Sequence, residues 1–386
     1  MSSEGWKIYK LAEVAEIVGG GTPSTTNSDY WGGDIPWLTP RDLSTNKERF
    51  VSQGERNITP LGLANSSAKL LPTGTVLLTT RAPIGYLAIA SNPICTNQGF
   101  KSLIPNNQMV DSLFLYYLLK NNVEYLKSVG VGTTFAEISG GALRKIEFGF
   151  PELPVQHQIA EILSVLDDKI ELNRQTNATL EAIAQAIFKE WFVDFNYPGA
   201  TGELVDSPLG PIPQGWQVSR LGDLADLSWG DTNTTKSSYT SEGYVAYSAS
   251  GPDGYLPYYD YSKDGIVVSA IGAYSGRTWF AQEKWSCIKN TIRFWSTCKR
   301  ISNEYLYLYT SRNFFWPLRG SAQPFISQTD ARNSLILVPD GVLAMFFGEI
   351  VKAFFRLIYK NDLENINLIK MRDSLLPKLL SGEIEV

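Results

Sequence analysis

The sequence has little of what most enzymes, metalloproteins and secreted proteins depend on. Its 386 residues include one histidine and three cysteines (Cys95, Cys287 and Cys298), with no CxxC pair. We therefore expect neither a zinc site nor a disulfide framework. The longest apolar runs, such as "GVLAMFFGEIV", fall well short of the roughly 20 residues that cross a bilayer. The opening "MSSEGWKIYK" lacks the apolar core of a signal peptide. These absences predict a cytoplasmic protein.

Sequence signatures of catalysis are also missing. There is no Asn/Asp/Ser-Pro-Pro-aromatic tetrapeptide, which marks amino-methyltransferases, and no Gly-x-x-x-x-Gly-Lys-Ser/Thr phosphate loop. The "GGGT" at 19–22 lacks the glycine spacing of a dinucleotide-binding loop. His157 is the only imidazole, so it cannot build a multi-histidine metal site. We expect no catalytic residue, no metal and no cofactor on this chain.

The composition that is present is globular, and its charge is unevenly distributed. Apolar residues make up 44% of the chain and charged residues 19%, in a length that suits two or three domains. Residues 151–195 hold 3 Lys and Arg against 8 Asp and Glu, which accounts for the whole net charge of −5. The flanking segments are near neutral, so charge neither supports nor excludes a nucleic-acid partner.

The chain contains an internal repeat. "WKIYKLAEVAEIVGGGTPSTT" begins at Trp6 and "WQVSRLGDLADLSWGDTNTT" at Trp216, and the two match at a constant offset of 210 residues. Weaker echoes pair "GTVLLTTRAPIG" with "GIVVSAIGAYSG", "NQG" with Asn290-Thr291, and "FAEIS" with "PFIS". Short β-branched runs between Gly, Pro, Asn and Ser turns predict two similar, strand-rich mixed domains.

Each half ends in a segment with an apolar 4-3 spacing, the 3.5-residue period of a coiled-coil seam. The first seam runs through Ile159, Leu163, Leu166, Ile170, Asn173, Asn177, Leu180, Ala184, Ile187 and Trp191. The second runs through Phe347, Val351, Phe354, Ile358, Asn361, Asn365, Leu368, Arg372, Leu375 and Leu379. From Ile159 to Trp191 such a helix is roughly 48 Å long at 1.5 Å per residue.

Both seams carry two asparagines at matching positions near the middle. If the helices pack antiparallel, Asn173 and Asn177 face Asn361 and Asn365. Buried amides lower stability but penalise every register in which they do not meet each other. We interpret the four residues as a register lock; the alternative is that they face solvent.

These patterns predict an α+β fold. Two mixed, strand-rich domains are joined by two long antiparallel coiled-coil-like helices, in a pseudo-twofold internal duplication. The predicted boundaries are 1–150 for the first domain, 151–195 for a central helical spacer, 196–340 for the second domain and 341–386 for a C-terminal helical spacer.

These segments resemble those of a known family. The stretch "LPVQHQIAEILSVLDDKIELNRQTNATLEAIAQAIFKEWFVDF" (153–195) is similar to the central helical region of specificity subunits of Type I restriction–modification systems. The tail "MRDSLLPKLLSGEI" is similar to their C-terminal one. "LAEVAEIVGGGTPST", "WLTPRDL", "TTRAPIGYLAI" and "TNQGFKSL" are similar to parts of their target recognition domains. The resemblance covers essentially the whole chain.

The resemblance implies a non-catalytic subunit that reads a bipartite, asymmetric double-stranded DNA site, one target recognition domain per half-site. It also implies docking of two adenine-N6 methyltransferase subunits and, through them, of two ATP-dependent restriction/translocase subunits. S-adenosylmethionine, ATP and Mg are then expected only on those partners. Two alternatives stay open: a stand-alone DNA-binding or scaffold protein, and the specificity chain of a fused restriction–methylation enzyme.

Loop residues are the candidates for DNA contact. Cations, hydroxyls and amides in turn-rich loops can reach phosphates or base edges. We select Arg41, Arg81, Lys101, Thr133, Thr134, Arg277, Lys289, Asn290 and Gln323. Arg81 stands out because it follows a predicted buried strand and precedes Pro and Gly; the alternative for Arg81 is a salt bridge to a neighbouring carboxylate. Arg277 and the Lys289-Asn290 pair are the predicted counterparts in the second domain.

Further apolar and acidic residues on both helices are candidates for methyltransferase docking. The two helices carry more apolar surface than one two-helix seam can bury. The candidate docking residues are Glu161, Ile162, Asp167, Glu171, Phe188 and Phe355, with Ile183, Phe192, Phe346, Ile350 and Leu376 widening the apolar stripes.

Overall fold

The computed structural model describes residues 6–45, 48–81, 83–132 and 136–386. By its internal contacts the chain divides into two units. Unit 1 comprises Met1–Asn173 and Glu364–Val386, and unit 2 comprises Arg174–Leu363. Each unit therefore combines one globular part with one half of each long helix, whereas the prediction treated the helices as separate segments.

In its described residues, unit 1 is a mixed structure of short strands and helices. Its strands are β1 (Lys7–Lys10), β2 (Ala15–Gly19), β3 (Trp31–Leu38), β4 (Phe50–Val51), β5 (Arg56–Ile58), β6 (Val76–Thr80), β7 (Ile84–Ala90), β8 (Cys95–Thr96), β9 (Lys101–Pro105) and β10 (Glu147–Phe150). Its helices are α1 (Leu11–Val14), α2 (Pro40–Thr45), α3 (Pro60–Ala64), α4 (Ser112–Asn121), α5 (Val123–Val129), α6 (Gly140–Lys145) and the first half of α7 (Leu153–Phe192).

Unit 2 has a similar set of elements. Its strands are β11 (Leu204–Val205), β12 (Ile212–Pro213), β13 (Gln217–Arg220), β14 (Ala225–Trp229), β15 (Tyr244–Ser248), β16 (Gly251–Leu256), β17 (Gly265–Ser269), β18 (Thr278–Ala281), β19 (Trp285–Cys287), β20 (Thr291–Ser296) and β21 (Leu335–Val338). Its helices are the second half of α7, α8 (Leu221–Leu224), α9 (Asn303–Thr310), α10 (Gln328–Asn333) and α11 (Gly341–Ser381), of which the last part belongs to unit 1.

The sheet topology repeats from one unit to the other. Unit 1 has a five-stranded sheet in the order β2-β9-β6-β7-β4, and unit 2 has a four-stranded sheet in the order β14-β20-β17-β18. The sheet β5-β3-β8 is repeated as β16-β15-β19, including the parallel pairing of its last two strands. The antiparallel pair β1-β10 is repeated as β13-β21. The duplication predicted from the two tryptophan segments is thus confirmed. Among the described strands, β4 has no counterpart in unit 2 and the pair β11-β12 has none in unit 1.

Gly20 and Gly230, which match in the internal repeat, are both required by close packing of the backbone. A Cβ atom on Gly20 would lie 2.0 Å from the carbonyl oxygen of Asn97, and one on Gly230 would lie 2.7 Å from that of Ile288. Each glycine follows the first strand of its sheet, where two backbone segments approach too closely for any side chain.

The "FAEIS" and "PFIS" echo also has a structural role. Ser139 and Ser327 are N-caps: their hydroxyls accept hydrogen bonds from the backbone N–H groups of Ala142 and Asp330. Such caps satisfy N–H groups that the first turn of a helix leaves unpaired. The short helices α6 and α10 therefore begin at equivalent serines.

The two long helices pack antiparallel within each unit. In unit 1, Asp167 of α7 contacts Arg372 of α11, and Asn173 contacts Asn365, so residue numbers rise along α7 as they fall along α11. In unit 2, Asn177 contacts Asn361. The 3.5-residue seam and the antiparallel pairing predicted from the sequence are therefore confirmed. In the described part of the chain no helix is both long and apolar enough to cross a membrane.

Each unit has its own large hydrophobic core, to which the helices contribute. In unit 1, Ile159 and Leu163 of α7 and Leu379 of α11 are buried with strand and α4 residues. In unit 2, Phe192 and Phe347 play the same role, with ring centroids 4.9 Å apart. The globular parts are thus packed directly onto the helices, which holds their loops at fixed positions relative to the helix pair of the same unit.

Candidate functional site

The four seam asparagines form one polar layer in each unit. In unit 1, the Asn173 Nδ2 donates to Asn365 Oδ1 at 2.9 Å and to the Glu364 carboxylate at 2.9 Å. Both asparagines are buried, as are the pair in unit 2. The facing amides that the spacing predicts are therefore present. The acidic partner Glu364 was not predicted, although its position directly before Asn365 was an available signal.

The layer in unit 2 has the same construction. The Asn361 Nδ2 donates to Asn177 Oδ1 at 2.8 Å, and the Asn177 Nδ2 donates to Asp362 Oδ1 at 2.9 Å. Burial raises the pKa of the Asp362 carboxyl above its ordinary value, although the hydrogen bond from Asn177 opposes that shift. Burial and the nearby Asp362 also raise the pKa of Glu181. The amides of each layer hydrogen-bond to each other, so each layer forms in one helix register. The alternative that the four asparagines face solvent does not hold, because all four are buried.

Three of the residues around the β6–β7 loop form an ionic cluster in unit 1. The Arg81 Nη1 lies 3.7 Å from the Glu137 carboxylate, and the Lys101 Nζ lies 3.8 Å from the same group. The Arg81 side chain is 38% exposed. Two of the predicted DNA-contact cations thus lie near one carboxylate, and the Arg81 guanidinium stays accessible to solvent. The salt bridge that was the alternative for Arg81 is therefore present.

The register of hydrogen bonds identifies the equivalents of this cluster in unit 2. Arg81 pairs with Glu137 across an isolated bridge, and Ile271 pairs in the same way with Phe325. The N–H groups that precede these residues, on Thr80 and Ala270, donate to the carbonyl oxygens of Gly99 and Asn290. Ile271 therefore occupies the position equivalent to Arg81, and Arg277, the predicted counterpart among the DNA-contact residues, lies at a different position.

The reason is loop length. In unit 1 three residues, 81–83, connect β6 to β7, whereas in unit 2 eight residues, 270–277, connect β17 to β18. Arg277 lies at the far end of this longer loop, exposed, with its guanidinium carbon 4.7 Å from the centre of the Tyr274 ring. It remains a candidate for DNA contact, in a different position from Arg81.

The long loop is joined to a neighbouring hairpin that carries Gln323. The carbonyl oxygen of Pro324 accepts hydrogen bonds from the Gly272 N–H at 2.9 Å and from the Ser275 hydroxyl at 2.7 Å. Gln323 is exposed at the tip of this hairpin. The structure therefore brings Gln323 and the loop of Arg277 together on one surface of unit 2.

Lys289 and Asn290 have different situations. Lys289 is exposed and its side chain can reach an external anion. Asn290 has a φ of 70° and occupies the place of Gly99, where its backbone carbonyl serves the sheet. Asparagine tolerates this left-handed conformation better than most residues. A backbone role therefore explains Asn290, while Lys289 remains a candidate for phosphate contact.

The remaining predicted DNA contacts lie in unit 1. Arg41 is exposed on the short helix α2. Thr133 and Thr134 lie outside the described residues. A cation that the sequence analysis missed is Arg56, whose guanidinium carbon lies 3.5 Å from the centre of the Trp31 ring. This stacked guanidinium is exposed on β5. Arg56 and Trp31 lie far apart in the sequence, so no local pattern of aromatic and basic residues reveals the pair.

The structure corrects part of the predicted docking set. Asp167, Phe188 and Phe355 are 5%, 3% and 4% exposed, because the globular part of each unit covers that side of its helices. Phe192 and Leu376 are buried for the same reason. Glu171 is engaged within unit 1, where its carboxylate accepts a hydrogen bond from the Arg49 N–H at 2.9 Å. The exposed members of the set are Glu161, Ile162, Ile183 and Phe346, while Ile350 is half-buried.

Asp167 is the centre of a buried charged network in unit 1. It accepts hydrogen bonds from the Arg372 guanidinium at 2.6 Å and from the Tyr117 hydroxyl at 2.8 Å, and the Lys120 ammonium lies 3.8 Å away. Burial alone would raise the pKa of Asp167, but Lys120 and Arg372 outweigh burial and hold it below its ordinary value. Burial lowers the pKa of Lys120. This network stabilises unit 1 internally rather than meeting a partner.

An exposed apolar stripe remains on the outer side of α7 in unit 1. Ile162, Val165 and Leu172 are 38%, 60% and 56% exposed. Their spacing of three and seven residues places them on one face of the helix. Two of these three residues were not among the predicted docking residues. In the described part of the chain, no group of His, Cys, Asp or Glu side chains is arranged to hold a metal ion.

Comparisons with known proteins agree with this architecture. A family model described as "Type I restriction modification DNA specificity domain" matches residues 3–182 and 213–370. The Type I restriction enzyme MjaIX specificity subunit of Methanocaldococcus jannaschii is 34% identical, over 99% of this chain and 94% of that protein. The Type I restriction enzyme HindI specificity subunit of Haemophilus influenzae is 25% identical, over 98% of this chain and 99% of that protein.

A solved structure has the same fold. The crystal structure of a Type I restriction–modification system S subunit from M. genitalium superposes with a TM-score of 0.61, over 97% of this chain and 96% of that one. The sequence identity is 18%, so this likeness concerns the fold alone.

Proposed function

Because this chain belongs to the family of Type I restriction–modification DNA specificity subunits, we propose that unit 1 and unit 2 each read one half of a bipartite DNA sequence. One observation carries the proposal. The two units share a sheet topology, yet the equivalent positions Arg81 and Glu137 in one are Ile271 and Phe325 in the other. Equal scaffolds with unequal surface chemistry suit an asymmetric target, because each half-site presents its own pattern of donors, acceptors and methyl groups.

Within unit 1, Arg81 and Lys101 are the proposed contacts to DNA. Glu137 holds both cations in place before DNA arrives, and an ion pair this exposed contributes little stability. A guanine edge or a phosphate can therefore replace the carboxylate as the partner of Arg81 at low cost. Arg41 and the stacked Arg56 are proposed to meet the DNA backbone.

Within unit 2, Arg277, Lys289 and Gln323 are the proposed contacts to DNA. Arg277 and Gln323 project from two loops that share hydrogen bonds, so they are presented together. Lys289 supplies a further exposed cation. Such a mixture of guanidinium, ammonium and amide groups can both position the duplex and read base edges.

The chain is a specificity subunit, so we assign the chemistry to its partners. We propose that two adenine-N6 methyltransferase subunits, which bring S-adenosylmethionine, dock against the helices. Two restriction/translocase subunits with ATP and Mg then bind through them, in the cytoplasm. In unit 1 the exposed stripe of Ile162, Val165 and Leu172, with Glu161 beside it, is the proposed docking surface, since exposed apolar surface of this kind marks interaction sites.

The experiment that tests the proposal is methylome sequencing of the host with the gene intact and with the gene deleted. We expect N6-methyladenine to disappear at one split motif when the gene is deleted and to return on complementation. An unchanged methylome, together with tight sequence-specific DNA binding by the purified chain alone, would instead favour a stand-alone DNA-binding protein.

A further inference from the structure

The loop that follows α9 in unit 2 carries an aromatic side chain that the fold does not use. The Phe314 side chain is 103% exposed, and its backbone φ is 61°. A bulky residue rarely adopts a left-handed conformation, which persists only where the surrounding structure imposes it. The chain therefore holds a large apolar ring in solvent and in a disfavoured backbone conformation.

Three other non-glycine residues, Phe195, Glu283 and Asn290, have a positive φ, and each has an internal contact. The Glu283 N–H donates to Asp264 Oδ1 at 3.3 Å. The Phe195 ring packs against Trp216 at a centroid distance of 5.6 Å. Asn290 directs its carbonyl oxygen to the Ala270 N–H of the neighbouring strand. Phe314, in contrast, is fully exposed, so burial of its ring does not explain its conformation.

Cationic and amide groups flank this ring. Phe314 lies between two hollows of about 880 Å³ and 600 Å³, and both hollows are also lined by Arg312 and Asn313. Arg277 lines the larger one. The Arg312 side chain is fixed over the Tyr309 ring at 3.8 Å, and its Nε donates to the Tyr309 carbonyl oxygen at 3.0 Å.

Two carboxylates, Asp330 and Glu181, also line these hollows. Asp330 is paired with the Arg319 guanidinium at 2.6 Å, which offsets its charge. Arg277 and Arg312 then stand against the single carboxylate of Glu181, so the surroundings of the exposed ring are cationic on balance. This charge favours a polyanion over an acidic or neutral apolar partner.

The loop is anchored next to the proposed DNA contacts. The Trp316 indole N–H donates to the Thr278 hydroxyl at 3.1 Å, directly after Arg277. Leu318 lies within 3.9 Å of the position that a Cβ on Gly276 would occupy. Phe314 thus belongs to the same loop surface as Arg277, and the anchoring limits its movement.

We propose that Phe314 is a wedge that inserts between two stacked base pairs of the half-site read by unit 2, while Arg312 and Arg277 bind the phosphates on either side. The inference rests on the proposed function. Apolar side chains inserted at a base step unstack it and kink the duplex. Pyrimidine–purine steps open at the lowest cost, so this half-site is expected to contain one at the wedge. Unit 2 would then select part of its sequence through deformability rather than through base edges.

The test uses the full chain co-purified with its native partner subunits and duplexes that carry the motif identified by methylome sequencing. 2-Aminopurine is placed in turn at each step of both half-sites, and its fluorescence is measured with and without protein. Besides the target adenines, which the methyltransferase subunits extrude, we expect one further step, in the unit 2 half-site only, to brighten on binding. Phe314→Ala should abolish that signal and weaken cognate binding at least tenfold, while Phe314→Leu should keep most of both.

Leu204→Ala is the matched control, because Leu204 is also an exposed apolar residue of unit 2, at 52% exposure, and lies on the separate β11 strand. It should leave the fluorescence and the affinity unchanged. Unchanged fluorescence and affinity in Phe314→Ala would overturn the wedge, and so would loss of a partner subunit from the Phe314→Ala preparation, which would assign the ring to a protein interface. If the unaltered complex does not distinguish the motif from a scrambled duplex, the proposed function fails as well.

Discussion

At one equivalent place, the interior of unit 1 is charged and that of unit 2 is aromatic. Asp167 and Arg372 of unit 1 stand at the positions that Phe355 and Ala184 occupy in unit 2, at the 188-residue offset of the two helices. Asp167 binds Arg372 and Tyr117, whereas the Phe355 ring packs against the Phe280 ring with a centroid distance of 4.8 Å. One helix scaffold therefore accepts two opposite solutions for joining a globular part to a helix pair.

The difference shows what repetition constrains in this chain. The seam, the amide layers and the sheet order are repeated, because a shift in any of them would misplace a whole element. The packing between helix and domain is not repeated, because either a satisfied ion network or an apolar cluster of suitable volume can fill that space. The two halves are consequently equivalent in architecture and independent in chemistry.

The largest expected effect comes from breaking the charged interior. Asp167→Ala removes the buried anion that Arg372 and Lys120 share and leaves Arg372 only its exposed neighbour Asp373 at 2.7 Å, which should destabilise unit 1 by about 3–5 kcal/mol. Hydrogen exchange of peptides from unit 1 should accelerate, while peptides from unit 2 serve as the internal reference. The double variant Asp167→Phe with Arg372→Ala copies the solution of unit 2 and should recover much of the loss. Equal damage from both variants would contradict this account of the network.

The next effect concerns the loop surfaces. If Arg81 reads a base, Arg81→Ala should relax specificity at one position of one half-site and cost about 1–3 kcal/mol of binding free energy. If it contacts a phosphate, affinity should fall uniformly across sequences, with a smaller salt dependence. Ile271→Ala at the equivalent position in unit 2 is the matched control and should leave the specificity of the unit 1 half-site intact. Binding titrations on a panel of single-base variants distinguish these outcomes, and no change in either measure would leave Arg81 with its ion pair to Glu137 alone.

A smaller effect is expected from the amide layers that both units share. Replacing Asn173, Asn177, Asn361 and Asn365 by Leu should raise helix stability by on the order of 1 kcal/mol, because paired amides give way to apolar groups. Asp362 is exposed and Glu364 half-buried, so water can replace the amide donors that these carboxylates lose. It should also allow more than one helix register. Thermal unfolding measures the first effect, and spin-label distance distributions between α7 and α11 within one unit measure the second. A loss of stability with a single sharp distance would contradict the register lock.

The smallest effect is a difference in pH dependence. The depressed pKa of Asp167 gives unit 1 a stabilisation that is present above the unfolded pKa of about 3.9 and is lost as the pH falls through the lower folded value. The raised pKa of Asp362 acts in the opposite sense on unit 2, which should lose stability as the pH rises from about 4 through the folded value. Asp362→Asn should remove that part of the slope. Hydrogen exchange across this pH range in Asp167→Asn and in Asp362→Asn, each against the unaltered chain, isolates the two contributions, and an unchanged slope in either variant would contradict its assignment.

The helices were the most predictable part of the molecule. A 3.5-residue period and two aligned Asn pairs specify which face is buried and which residues meet, because both depend only on spacing along one element. The position of Arg277 was not predictable in the same way. It depends on the lengths of two loops and on strand register, which leave little trace in a single sequence.

The docking residues show a second limit of sequence-based prediction. Asp167, Phe188 and Phe355 lie beside the seam, so a two-helix pattern places them on an outer face. That face is covered by the globular part of the same unit, which is a long-range contact without a periodic signal. Val165 and Leu172, by contrast, are exposed apolar residues. They were not predicted, because the predicted docking residues were limited to the seam and its nearest flanks.

The main sheets of both units end in short strands. In unit 1 the two-residue β4 closes one side, and in unit 2 the order ends at the four-residue β18. An edge strand exposes unpaired N–H and C=O groups on which another chain can add a strand, and short edges limit that hazard. The central strands β6 and β17 are fully buried, and the short edges β4 and β18 leave little length on which a second chain could extend either sheet.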